Sequence, residues 1–171
     1  DPDQAVESLV LQGRLQNCWF AASIIRLQAI KRVFNIVVPS QQVLSPSCGA
    51  AYTGSVKFRF WYYFKWIEVI IDDRLPTLSG QLVFMQNSNH RTFWAALIEK
   101  AYAKLHGSYD IHNGGLICQA TTELTGGYSL GYEIEHIPNT HELLMKSMTE
   151  ETILLCTASS RNDTNNEVTR E

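Results

Sequence analysis

Cys18 offers the most direct route to chemistry in this sequence. A thiolate is the reactive form of cysteine, and a helix N-terminus favours negative charge. The segment Cys18-Trp19-Phe20-Ala21-Ala22-Ser23-Ile24-Ile25-Arg26-Leu27-Gln28-Ala29-Ile30 is mostly apolar and predicts a largely buried helix. The polar run Gln12-Gly13-Arg14-Leu15-Gln16-Asn17 before it predicts a turn, which puts Cys18 at the helix start. Gln12 stands six residues upstream of the thiol. Its side-chain amide and the Cys18 backbone N–H are the right groups for an oxyanion hole around a carbonyl that the thiol attacks. The competing expectation is an inert core thiol, since cysteine is among the most buried residue types.

The elements that must position these two residues follow from pattern. Residues 39–54 carry Pro39, Pro46, Gly49 and Gly54 and predict a loop. Val56-Lys57-Phe58-Arg59-Phe60 alternates as a half-buried strand, with 66–71 as its partner. Asp72 and Asp73 are expected to cap and solvate the end of that partner, with Arg74 beside them. Phe93, Leu97, Ala101 and Leu105 recur every four residues and predict a helix, with Thr92 as N-cap and Gly107 as stop. Glu99 and Lys100 read as charges on its outer face. Turns at 113–115 and 125–127 flank a short helix over 116–124. Residues 132–137 alternate as a strand, and Asn139-Thr140-His141-Glu142 predicts a capping box opening a helix to Met148. Residues 152–156 predict a buried strand, and a polar tail follows from Ser159. The aromatic run 61–66 is expected to pack in the core and between lobes rather than stack on bases.

Composition is that of one globular domain: 171 residues, 45% hydrophobic, 18% charged. A net charge of −3 gives no reason to propose nucleic acid as a partner. No run of 18 apolar residues occurs, so no membrane span is expected. The acidic stretch 1–7 does not resemble a signal peptide, and the missing initiator Met predicts a segment internal to a longer protein. Cys18, Cys48, Cys118 and Cys156 form no C-x-x-C pair, so no structural zinc is expected and the reduced, cytoplasmic compartment is favoured. A sequon at Asn162 is weak evidence for secretion. His90, His106, His112 and His136 read as ordinary turn or strand-face residues and His141 as a surface residue on a helix.

The stretch Gln12 to Ala22 resembles the nucleophile segment of the calpain cysteine proteases. Three further blocks agree in the same order: Trp66 to Thr77, Phe93 to Tyr109, and the glycine pairs Gly114-Gly115 and Gly126-Gly127. The resemblance covers about residues 9–157. It implies an α+β fold: the first, nucleophile lobe of a papain-like core, mostly helical around a buried N-terminal helix, with short antiparallel strands. Residues 1–158 would form that lobe. Residues 159–171 would be a polar tail or the start of a linker to a second lobe.

By the same resemblance Cys18 is the nucleophile and Gln12 the oxyanion donor. The base histidine and its orienting asparagine belong to the second lobe. A papain-type base lies roughly 130–150 residues beyond its cysteine, and no histidine falls in the corresponding stretch here. The chain alone is therefore expected to be nearly inactive, with the second lobe and further domains of the same polypeptide as partners and proteins as substrates. Two departures stand out. Gln16 replaces the family's glycine, where its side chain would crowd the entrance or change the turn. The family's calcium site in this lobe uses backbone carbonyls and two acidic side chains, and the matching positions are Leu9 and Thr92, so no metal ligand is assigned here, the site is expected to be weak, rebuilt or absent, and Ca2+ remains an expectation for the full-length protein. The function implied is an intracellular cysteine endopeptidase of the calcium-dependent type. The alternative is a catalytically inactive calpain-like binding or scaffold domain.

Overall fold

The computed structural model describes residues 9–39, 53–89, 92–132, 139–149 and 155. The chain divides into two compact units, residues 1–138 and 139–171.

In the first unit, β1 (Val10–Leu11) leads through the polar turn into α1 (Cys18–Gln28) and α2 (Lys31–Val37). The helix expected over 18–30 is α1, which ends two residues earlier, and α2 follows it as a helix the sequence pattern did not predict. The Ala29 and Ile30 N–H groups bond back to Arg26 and Leu27, and Ile30 leaves the helical region before α2 begins. β2 (Ser55–Tyr62) and β3 (Lys65–Asp72) form an antiparallel hairpin in which Val56 faces Ile71 and Phe58 faces Val69. Val56, Phe58 and Phe60 are buried while Lys57 and Arg59 are not, as the alternation requires. Each buried Phe contributes about 2 kcal/mol by leaving water. β4 (Thr77–Leu78) pairs β5 (Gln81–Leu82), and β6 (Gln86–Asn87) pairs β1. α3 (Trp94–His106), a 3-10 turn (Tyr109–His112) and α4 (Ile117–Thr125) complete the unit.

The core forms where α1 (Phe20, Ile24, Leu27) meets β2 and α3 (Ile98, Ala101, Tyr102), with Ala120 and Leu124 of α4 closing it. Gly107 and Gly126 end α3 and α4 in the left-handed region, as their sequence positions suggested. Thr92 does not cap α3. Phe93 holds the cap position, the Asn87 side chain accepts from the Ala95 N–H at 3.1 Å, and Thr92 bonds Asn89 instead. The cap comes from β6, eight residues before the Ala95 N–H that it accepts. Asp72 accepts from the Arg74 N–H at 2.9 Å, and its charge partner is Lys100 Nζ at 2.8 Å rather than the Arg74 side chain. Trp61 and Trp66 meet edge to face and lean on Gly126. The hairpin tip between them is exposed, with Tyr63 and Phe64 both in the left-handed region.

The second unit contains α5 (Thr140–Thr149). Its opening differs from a reciprocal capping box, since the Asn139 side chain donates to Glu142 at 3.4 Å. His141 is exposed on α5, as expected. The readings for residues 40–52, 133–138, 152–154 and 156–171, including Cys48, Cys156, His136 and the tail, lie outside the described residues, as does His90.

Candidate active site

Cys18 is the first residue of α1 and is exposed, which removes the inert core cysteine as an account of it. The N-cap, Asn17, is fully buried, and its carbonyl accepts the Phe20 and Ala21 N–H groups at 3.0 and 2.9 Å. Its side chain makes no cap bond. It turns inward instead, and Nδ2 donates to Glu99 Oε1 at 2.6 Å. The Cys18 N–H lies in the first turn, where no intrahelical acceptor exists. Gln12 is exposed, and its Nε2 donates to the Leu15 carbonyl at 2.5 Å. An amide nitrogen carries two hydrogens, so one stays available for a second acceptor.

The turn between these residues is braced on both sides. Gly13 packs so closely on the Phe84 main chain that a Cβ would overlap it. The Arg14 N–H donates to Val83 O at 3.2 Å. Across the turn, the Gln16 N–H donates to the Asn113 side chain at 3.2 Å, and Gln16 O accepts from Gly114. The Gln16 side chain is exposed. Trp19 anchors the helix start, with its indole N–H donating to His112 O at 3.2 Å and its ring against Gly115.

Beneath the turn lies a set of buried polar groups that the sequence placed elsewhere. Glu99 is not an outer-face charge: it is 1% exposed, and Oε2 accepts from the Met85 N–H at 2.9 Å. Burial pushes its carboxyl up to about 7 despite that bond and the one from Asn17. The signal was available in α3, since Ala95, Ala96, Tyr102 and Ala103, its neighbours one turn away, are all apolar. His112 is likewise no surface turn residue. It is fully buried among Trp19, Phe20 and Tyr102, and burial lowers it to about 4. His106 is also covered and pairs with Glu123 at 3.0 Å. Burial works against the Glu123 carboxylate, but bonds from His106 and Gln119 contribute to holding it below its usual value.

The family model for calpain family cysteine proteases matches residues 2–171. Calpain-A of Drosophila melanogaster is 42% identical over 148 residues, covering 86% of this chain and 17% of its own length. The chain belongs to the calpain family. Human Calpain-9 is 38% identical over 158 residues, or 92% of this chain and 22% of the relative. Calpain clp-1 of Caenorhabditis elegans is 40% identical over 138 residues, 80% and 17% respectively. The chain thus spans about one-fifth of the length of these calpains. Its α+β architecture, with short antiparallel strands and an N-terminal helix, has the topology of a papain-like nucleophile lobe.

Leu9 and Thr92, the positions that the resemblance set against acidic calcium ligands, supply no carboxylate. Leu9 is exposed, and its N–H and carbonyl bond Ser88 Oγ and the Ser88 N–H at 3.1 and 2.9 Å. Thr92 donates its hydroxyl to Asn89 Oδ1 at 2.9 Å. A hard cation wants several oxygens, carboxylates among them, and Leu9 and Thr92 do not fit that demand. Among the described residues no three His, Cys, Asp or Glu side chains converge as a metal site. Also among them, no helix is long and apolar enough to cross a membrane.

Proposed function

We propose that this segment is the nucleophile lobe of a cysteine endopeptidase. The observation that carries the proposal is the exposed Cys18 at the start of a buried helix whose N-cap side chain does not close over it. The Cys18 thiolate attacks the substrate carbonyl carbon. The oxygen takes up the negative charge and is met by the Cys18 N–H and the Gln12 amide. Collapse forms a thioester and releases the amine, which takes its proton from a histidine on a second lobe. Water then hydrolyses the thioester with that histidine as base. An asparagine of the same second lobe orients the histidine. Substrates are proteins, bound extended between the lobes, in the cytoplasm. Calcium, if the full-length protein uses it, acts through ligands other than Leu9 and Thr92.

The test is intact-mass detection of labelling by an epoxysuccinyl peptide on the full-length protein, wild type against Cys18→Ala, with and without Ca2+. Stoichiometric labelling confined to Cys18 is expected. No labelling of the folded protein in either condition removes the protease and leaves the binding or scaffold domain.

A further inference from the structure

We infer that Glu99 is a positioning residue for Cys18: its buried carboxylate ties the Asn17 side chain to the Met85 main chain and so fixes the turn that presents the thiol. The inference rests on Cys18 being the nucleophile. Both oxygens are committed to donors from two different parts of the chain, Oε1 to Asn17 Nδ2 at 2.6 Å and Oε2 to the Met85 N–H at 2.9 Å. Those parts are the end of the nucleophile turn and the connection between β5 and β6 beneath its middle. Asn17 is bonded through its carbonyl to the first turn of α1, so a rotation at Asn17 moves the helix start. Met85 follows Val83 and Phe84, whose main chain supports Arg14 and closes on Gly13. One carboxylate therefore holds the turn at its end and at its floor. The register of Glu99 is fixed in turn, because Asn87 Oδ1 pins the start of α3 to β6 through the Ala95 N–H.

A packing role alone would be served better by another residue. A carboxylate buried this deeply costs stability, and an apolar side chain of the same size often costs less. What an apolar residue cannot do is accept two N–H bonds and orient both donors. Tyr109 also lies near this carboxylate, whereas His112 is bonded to the Glu99 backbone carbonyl.

The experiment uses the full-length protein with Glu99→Leu, Glu99→Gln, Asn17→Leu and the Asn17→Leu/Glu99→Leu double variant. Two rates are read per folded molecule: epoxysuccinyl labelling of Cys18, and hydrogen exchange of the Phe20 and Ala21 amides against those of the β2–β3 hairpin. Glu99→Leu and Asn17→Leu should each slow labelling about tenfold and lower protection at Phe20 and Ala21 about tenfold, with the hairpin changed less than twofold. Glu99→Gln, which keeps one acceptor, should recover part of both losses. The double variant should be no worse than the worse single one, since the two residues act through one bond. Labelling and local protection within twofold of wild type overturn the inference, and so does protection lost equally across the lobe. If Glu99→Leu does not fold, Asn17→Leu decides by the same numbers, because it leaves the Met85 bond in place. If wild-type Cys18 is not labelled at all, the protease proposal falls, and exchange at Phe20 and Ala21 alone judges the positioning.

Discussion

His112 Nε2 lies 3.2 Å from the backbone carbonyl of Glu99, so the ring of one buried titratable residue is hydrogen-bonded to the main chain of another. A carbonyl can only accept, which assigns the ring proton to Nε2 and leaves Nδ1 as the bare nitrogen. That Nδ1 has no partner among the described residues. The pair lies directly under the nucleophile turn, and the two residues respond to acid in opposite senses.

The first prediction follows from those senses. Burial raises Glu99 from 4.5 to about 7, so between these values the folded state holds a proton that the unfolded chain has released. Stability from this group falls as pH rises across that window, by about 3 kcal/mol in all. Burial lowers His112 from 6.5 to about 4, so there the unfolded chain holds the extra proton. Stability from His112 falls as pH drops across its window, by a similar amount of about 3 kcal/mol. Over the shared range the two slopes oppose each other. Glu99→Gln should unmask a steep loss of stability on acidification, and His112→Phe should unmask a gain. Urea midpoints at half-unit pH steps for the three proteins check both.

Gly13→Ala is the second prediction. The added Cβ would overlap the Phe84 main chain, and backbone cannot swing aside as a flexible side chain can. The turn must shift, at a cost of roughly 2 kcal/mol or more. Labelling of Cys18 should slow with it. Denaturant unfolding and the labelling rate, measured on the same variant, check the two effects together.

The hairpin tip gives the third. Tyr63 and Phe64 have φ of 48° and 61°, a region that two-residue hairpin loops ordinarily fill with Asn-Gly. Phe64 is 92% exposed, so little burial offsets the strain. Tyr63→Asn with Phe64→Gly should therefore raise stability by roughly 1–2 kcal/mol. A thermal melt decides it: an unchanged or lower midpoint would show that the aromatic tip is supported by contacts.

Legibility differed by element for physical reasons. The β2–β3 hairpin and α3 were readable because their apolar residues recur with the period of the element that buries them, as Phe58 and Phe60 or Leu97 and Ala101 show. The break between α1 and α2 was not, because Ala29 and Ile30 carry no glycine or proline stop signal, although Ile30 leaves the helical region. β1 and β6 are two residues each, too short for any period, so the pairing that brings Asn87 to the start of α3 left no trace. Around the candidate site, Cys18 and Gln12 stood out by residue type and spacing. Glu99, His106 and His112 did not, since a charged type argues for the surface until the partners that reward its burial are known. Those partners lie 14 to 82 residues away in the cases of Met85 and Asn17.

Lys100, one residue beyond Glu99, has the opposite task. Its ammonium bonds the Asp72 carbonyl at 3.1 Å, the Asp72 carboxylate at 2.8 Å and the Arg74 carbonyl at 2.6 Å, so three oxygens at the end of β3 gather around one positive charge. That charge is covalently part of α3. It cannot be diluted, exchanged for another ion or sequestered by a chelator, and it reaches the strand end only when helix and hairpin are already assembled. The corner therefore carries its own cation: added salt screens its attraction to the exposed Asp72 carboxylate, but the charge itself stays tethered beside the two carbonyls.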